Sequence, residues 1–432
     1  MEPSPIVVVG AGLAGLTAAN HLADAGHRVT IVETRRDVGG RARTDAVDGF
    51  RLNLGPHALY RDGAGMAVLD ALGIDAPGWD VPVTESTAAD GDRLVGLPVG
   101  PMSLLRTGLL GVRGKLQVGR LLTRLPKLDP ADWHTTSVDD WIAESIGDEG
   151  ARRLVHALAR LTTYSARPDL ASAGALIAQL QGATTSGVRY LHGGWQVLAD
   201  RLLDRAHRRG AELRSGVAVR AVRSVGSGFE VDADVALTAS AVVLAVPPAA
   251  ADRLLGGGTG LADAAGPEVV ASVLDLGLDG LPARRFVLGI DRPHYLSRHA
   301  PAADLAPDGT SLVGVMRYGE PGERDPKEVR AELLDLAIRS GIAPQQILLD
   351  RYLHRLVVAG GMPLAASGGL AGRPGVEVPG RPGALVAGDW VGDEGQLADA
   401  SFASGRAAAV AALRFLGDRR AAEAPVVGAS DT

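Results

Sequence analysis

The chain has 432 residues, enough for more than one ordinary core, and its 46% hydrophobic and 22% charged residues fit a soluble globular protein with two domains. A net charge of −6 argues against a nucleic-acid binder, and the absence of cysteine excludes disulfides, thiolate metal sites and cysteine nucleophiles. Ile6 to Val9 runs straight into a glycine turn, with no basic leader before it, and no uncharged apolar run is long enough to span a bilayer, so a cytoplasmic protein is expected.

In chain order, Ile6-Val7-Val8-Val9 predicts a buried strand, Gly10-Ala11-Gly12-Leu13-Ala14-Gly15 a glycine turn opening a helix, and Val29-Thr30-Ile31-Val32 a second strand ending at Glu33. Gly10 permits the tight turn, Gly12 lets a pyrophosphate approach the backbone, and Gly15 lets helix and strand pack closely. The helix N-terminus offers free N–H groups to the phosphates, and Glu33 is placed to bind a ribose hydroxyl. This motif implies a dinucleotide and leaves NAD and FAD open. Gly39-Gly40-Arg41-Ala42-Arg43 follows, a glycine pair with guanidinium donors that can wrap the far side of the pyrophosphate. Phe50 to Leu54 predicts a strand ending in Gly55-Pro56, with His57 and Ala58 just beyond it.

From 61 to about 190 the texture changes. Leucines at 104, 105, 109, 110, 116, 121, 122 and 125 recur near helical spacing among Arg106, Arg113, Lys115, Arg120 and Arg124. A cap or core helix over an apolar pocket is the favoured reading, and a basic amphipathic helix making peripheral membrane contact through 103–126 is the other. Ser137 with Asp140 marks a helix start.

Tyr190-Leu191-His192-Gly193-Gly194-Trp195 leads into another helix, strands follow at 212–222 and 229–231, and Ala241–Val246 is a buried strand closed by Pro247-Pro248. Between 250 and 350, strands are expected at 270–276, 286–290 and 311–318, and an amphipathic helix at 327–340. The chain closes with the strand Ala384–Ala387, a Gly388-Asp389 turn, and a small-residue helix that begins near Gln396 and runs to Leu416.

The Gly10–Gly15 motif, Gly39-Gly40-Arg41 and Ala387-Gly388-Asp389 together resemble the flavin-dependent amine oxidase superfamily, on the side of phytoene desaturases and protoporphyrinogen oxidases. Two departures point to that side: no aromatic residues lie at 396–400 to sandwich an amine, and Lys327, the single lysine between 250 and 350, sits in a helix that reads as solvent-facing. The resemblance implies FAD, held non-covalently, and an α/β fold with a Rossmann-like FAD-binding domain and an interleaved α+β substrate domain carrying a helical cap. The FAD domain is expected from 1–60, 190–250 and 351–418, the substrate domain from 61–189 and 251–350, and a flexible tail from 419–432. Implied cofactor residues are Gly10, Gly12, Leu13, Ala14, Gly15, Glu33, Gly40, Arg41, Gly55, Pro56, His57, Ala58, Val219, Gly388, Asp389, Gln396, Leu397 and Ala398. No metal is expected.

The implied chemistry is hydride removal from an apolar small molecule, with oxygen or another acceptor reoxidising the flavin. The alternatives are imine formation from an amine, and flavin binding without turnover. His57 is the first candidate for a proton acceptor, followed by Tyr60 and His192.

Overall fold

The computed structural model describes residues 4–82, 86–319, 322 and 324–423. Ile6–Val9 and Val29–Glu33 form the expected strands, with helix α1 (Leu13–Asp24) between them. They sit in a five-stranded parallel sheet of order Glu212–Ser215, Val29–Glu33, Ile6–Val9, Ala241–Leu244, Ala384–Val386. Both faces are covered, which is why the first strand reads as an unbroken apolar run rather than an alternation. Ile6 and Val8 face a helical layer, and Val7 and Val9 face the opposite side, toward the three-stranded sheet of Ala221–Val225, Gly228–Asp232 and Leu237–Ala239.

The chain then adds helix α2 (Ala64–Ala71), whose Val68 and Leu69 pack in the helical layer of the dinucleotide domain. The insertion that follows is helical as expected: α3 (Pro101–Arg106), α4 (Val112–Arg124), α5 (Val138–Ser145), α6 (Glu149–Thr163) and α7 (Ala173–Thr185). Ser137 caps α5, its hydroxyl accepting from the Asp140 N–H at 3.0 Å. Helix α8 (Gln196–Arg208) returns to the dinucleotide domain against α1. Pro248 does more than end a strand: it occupies the first turn of α9 (Pro248–Leu254), which with α10 (Leu261–Ala265) packs on the second face of the parallel sheet.

The domain expected to hold the substrate is built on a seven-stranded sheet of order Ile347–Ala359, Val269–Asp279, Thr310–Tyr318, His294–Arg298, Phe286–Gly289, Ser86–Asp90, Arg93–Gly96. Only the Phe286–Ser86 pairing is parallel. Helix α11 (Pro326–Arg339) covers one face through Val329, Leu333 and Leu336, with Lys327 exposed, and the α4–α7 helices approach the other.

These partners move the expected boundaries. A break at 350/351 would cut the Ile347–Ala359 strand, which pairs along Val269–Asp279 in the substrate sheet. Residues 64–76 and 251–265, expected in the substrate domain, bury their apolar faces against the parallel sheet and its helices instead. The last helix, α12 (Leu397–Glu423), runs past the expected end at Leu416 and takes in the first residues of the expected tail, whose remainder, 424–432, lies outside the described residues. Near the start of α12, Asp399 reaches back to accept a hydrogen bond from the Gly65 N–H at 2.8 Å, supplying the cap that Gly63, at the N-terminus of α2, has no side chain to provide.

Candidate FAD and substrate site

A cavity of about 950 Å³ runs from the C-terminal edge of the parallel sheet to the face of the seven-stranded sheet. At the dinucleotide end Gly10 holds φ +102°, and a Cβ there would lie 2.4 Å from the Ala245 carbonyl oxygen. A Cβ on Gly15 would lie 2.0 Å from the Gly10 carbonyl oxygen, so this glycine sets the helix–strand approach and lies behind the cavity wall. Gly12 is different: a Cβ there would meet nothing within 4 Å, because its backbone opens onto the cavity at the N-terminus of α1. Leu13 and Ala14, in the first turn, line the same wall.

The Gly39 N–H donates to the Ala11 carbonyl at 2.8 Å, which lays Gly39-Gly40-Arg41 beside the glycine turn. Glu33 accepts from the Ala11 N–H at 2.8 Å and the Arg35 N–H at 2.9 Å, so its carboxylate is fixed at the strand end. Arg41 makes a two-pronged ion pair with Asp389, at 2.6 and 2.7 Å, and donates to the Val358 carbonyl at 3.1 Å. Asp389 also accepts from the Gly360 N–H at 3.0 Å, and its side chain is 2% exposed. Its carboxylate oxygens are therefore engaged in holding Arg41, and both residues line the cavity.

These features fit a bound dinucleotide. Open space in front of Gly12, the unsatisfied N–H groups of the α1 N-terminus and the fixed Arg41 make a phosphate cradle, while Glu33, Val219 and Thr34 line the nucleoside end. Gly55, Pro56, His57, Ala58, Leu397 and Ala398 line the opposite end, where a flavin ring would lie. The Nε1–H of Trp195, also in this wall, lacks a hydrogen-bond partner.

Of the expected cofactor residues, Gly15 and Gln396 do not face the cavity. The Gln396 amide instead donates to the Ala175 carbonyl of α7 at 2.8 Å.

The three proton-acceptor candidates separate clearly. The His57 ring Nδ1 is 2.8 Å from the Gly55 carbonyl and so must carry the proton there, and the ring packs 5.1 Å from Trp195. Burial lowers its pKa, so at neutral pH it is an uncharged imidazole with Nε2 as its basic atom. Tyr60 lines the cavity, but burial pushes its phenol far up, which suits a donor rather than a base. His192 lies away from the cavity wall, its Nδ1 accepting the Asp304 N–H at 3.1 Å in a loop contact.

No motif or spacing in the chain points to His299. It stacks on Tyr190 with ring centroids 4.3 Å apart, its Nε2 lies 2.8 Å from the Ser297 hydroxyl, and burial, with a lesser contribution from His57, lowers its pKa to about 4. Tyr164 and Tyr295 also line this half, with Arg285 and Arg298, and burial raises both phenols. These residues carry no motif; strand pairing and helix packing alone bring them together.

Leu121, Leu122 and Leu125 line the cavity, as the cap reading of this segment expects. Among the described residues, no helix is long and apolar enough to cross a membrane.

The family of flavin containing amine oxidoreductases matches over residues 13–265. An L-amino-acid oxidase of Echis ocellatus is 57% identical over 57 residues, 13% of this chain and 11% of that protein. One of Bungarus fasciatus is 54% identical over 60 residues, 13% and 12% of the two chains. The match therefore spans only about a ninth of the length of these relatives. Solved structures show the same fold along nearly the whole chain. An oxidoreductase from Methanosarcina mazei superposes with a TM-score of 0.74 at 20% identity, covering 95% of this chain and all of that one. A protein assigned as a protoporphyrinogen oxidase from Exiguobacterium sp. 255-15 gives 0.71 at 18%, over 96% and 100%. A putrescine oxidase bound to putrescine gives 0.68 at 18%, over 95% and 99%. The chain belongs to the flavin containing amine oxidoreductases.

Proposed function

We propose that the chain is an FAD-dependent oxidoreductase that removes a hydride from a C–H of an apolar small molecule. One observation carries the reading: the cavity's two halves differ in charge. Among the described residues, the acids in its wall are Glu33, Asp389 and Glu268, and Glu268 lies close enough to act on the charge of Arg41. The substrate half is walled by residues such as Leu122, Leu158, Met316 and Phe286, and its charged groups are Arg285 and Arg298. A protonated amine entering there meets guanidinium groups of its own sign, whereas an uncharged apolar molecule gains from leaving water.

Bound FAD supplies the electron chemistry by accepting the hydride. The protein's part is to hold the isoalloxazine end against Gly55–Ala58 and Leu397–Ala398, to shut out water with the apolar wall, and to keep His57 neutral so that Nε2 can take a proton from the substrate. Imine formation from an amine is the second reading. Its support is the aromatic lining of Tyr164, Tyr190, Tyr295 and Phe286, which can hold a neutral or cationic nitrogen over a ring face.

The FAD-loaded protein, mixed anaerobically with a polyene or a porphyrinogen, should lose its flavin absorbance, and a panel of primary and secondary amines should leave it oxidised. Bleaching by amines alone would overturn the apolar reading in favour of the second.

A further inference from the structure

The segment spanning α3 and α4 is built unlike the rest of the surface. Residues 93–128 contain seven basic residues and no Asp or Glu, in a chain whose net charge is −6. The same segment exposes Met102 (58%), Leu105 (68%), Val112 (78%) and Leu116 (70%). Val112 and Leu116 are four apart on α4 and share a face. The Lys115 ammonium donates to the Leu105 carbonyl at 2.7 Å, which ties the apolar residues of α3 to those of α4. Gly114 and Val118, on the other side of α4, are buried, and Leu121 and Leu122 in its last turns line the cavity. Val99, just before α3, lines the cavity and is 38% exposed, so the cavity wall reaches the surface here.

We propose that α3 and α4 form a docking face for an anionic lipid bilayer, through which apolar substrate passes directly from the membrane into the cavity. This identifies the partner and its headgroup charge, and the delivery role rests on the apolar-substrate reading above. Leu105, Val112 and Leu116 enter the interfacial region, while Arg106, Arg113, Arg120 and Arg124 lie level with acidic headgroups. Charge selects this occupant over a second copy of the chain, because a two-fold contact would set a basic segment that holds no Asp or Glu of its own against its copy.

Co-sedimentation of the full-length, FAD-loaded protein with phosphatidylcholine vesicles, with and without about one-third phosphatidylglycerol, tests the proposal. Binding should be at least tenfold stronger to the anionic vesicles and should weaken steeply with salt. A Leu105→Ser, Val112→Ser, Leu116→Ser triple variant should lose it, and so should an Arg113→Gln, Arg120→Gln pair, both with unchanged flavin absorbance. No preference for anionic vesicles would overturn the proposal, and so would a dimer in solution that the triple variant dissolves. Vesicle binding is read without substrate, so the outcomes separate: amine turnover with anionic binding intact removes the substrate reading alone, and apolar turnover without binding removes the docking face alone.

Discussion

The two ends of the cavity are made of different material. The dinucleotide end is mostly backbone, with glycines where a Cβ has no room or would close the cradle, and one ion pair, Arg41–Asp389, joining the two ends of the chain. The substrate end is made of side chains set on strands and helices that converge from 120–190 and 270–360. A backbone site fails when a single atom is added, whereas a side-chain site changes preference before it fails.

The sharpest way to break this contrast is at Gly15. An alanine there would set its Cβ against the Gly10 carbonyl oxygen, a backbone atom in a buried strand-to-helix turn that cannot step aside. Gly15→Ala should cost more than about 4 kcal/mol and give no soluble, flavin-bearing protein; a yellow, stable variant would show that the turn is not built as described. The next effect belongs to the ion pair. Asp389→Ala leaves Arg41, whose side chain is 40% exposed, without its counter-charge and the buried Gly360 N–H without its acceptor, and should destabilise the apoprotein by about 2–3 kcal/mol in urea titrations. A loss below about 1 kcal/mol would mean that the pair is spectator to the fold.

The smallest effect lies at the substrate end and depends on pH. Free in the unfolded chain, an imidazole takes up a proton below about pH 6.5, while His299 in the fold does so only near pH 4. Between those values protons bind the unfolded chain preferentially, so stability falls as pH falls through this window, by at most about 3 kcal/mol from this group. In a His299→Asn variant the fall between pH 6.5 and pH 4 should be shallower, measured by urea midpoints at both pH values. An unchanged slope would place the proton sensitivity elsewhere.

This contrast also explains what could be read from residues alone. Gly10, Gly12, Glu33 and Arg41 are legible because phosphate chemistry demands backbone shapes that few residues allow, at short and fixed spacing. The helical insertion is legible from leucine spacing, although the pattern does not tell which leucines are buried: Leu104, Leu110 and Leu125 are, and Leu105 and Leu116 are exposed. Ile347–Ala359 is not: half-buried along most of its length and bulged, it shows no clean alternation, and its partner Val269–Asp279 lies far away in sequence. His299 is hidden for the same reason, because its place beside Tyr190 depends on which strands pair. Gln396 shows the limit of the family resemblance: it occupies the right position in the chain and turns its side chain toward α7.

The cap that Asp399 places on α2 has a consequence in time. The acceptor for the Gly65 N–H lies 334 residues further along the chain. At ribosomal speeds of about 5–20 residues per second, α2 waits on the order of tens of seconds for its cap, and Arg41, 348 residues ahead of Asp389, waits slightly longer for its partner. Through that interval the glycine turn can form locally while the flavin site stays open along one side. Stable loading of the flavin thus has to follow the synthesis of α12, and a ribosome stalled before that helix should hold a colourless chain.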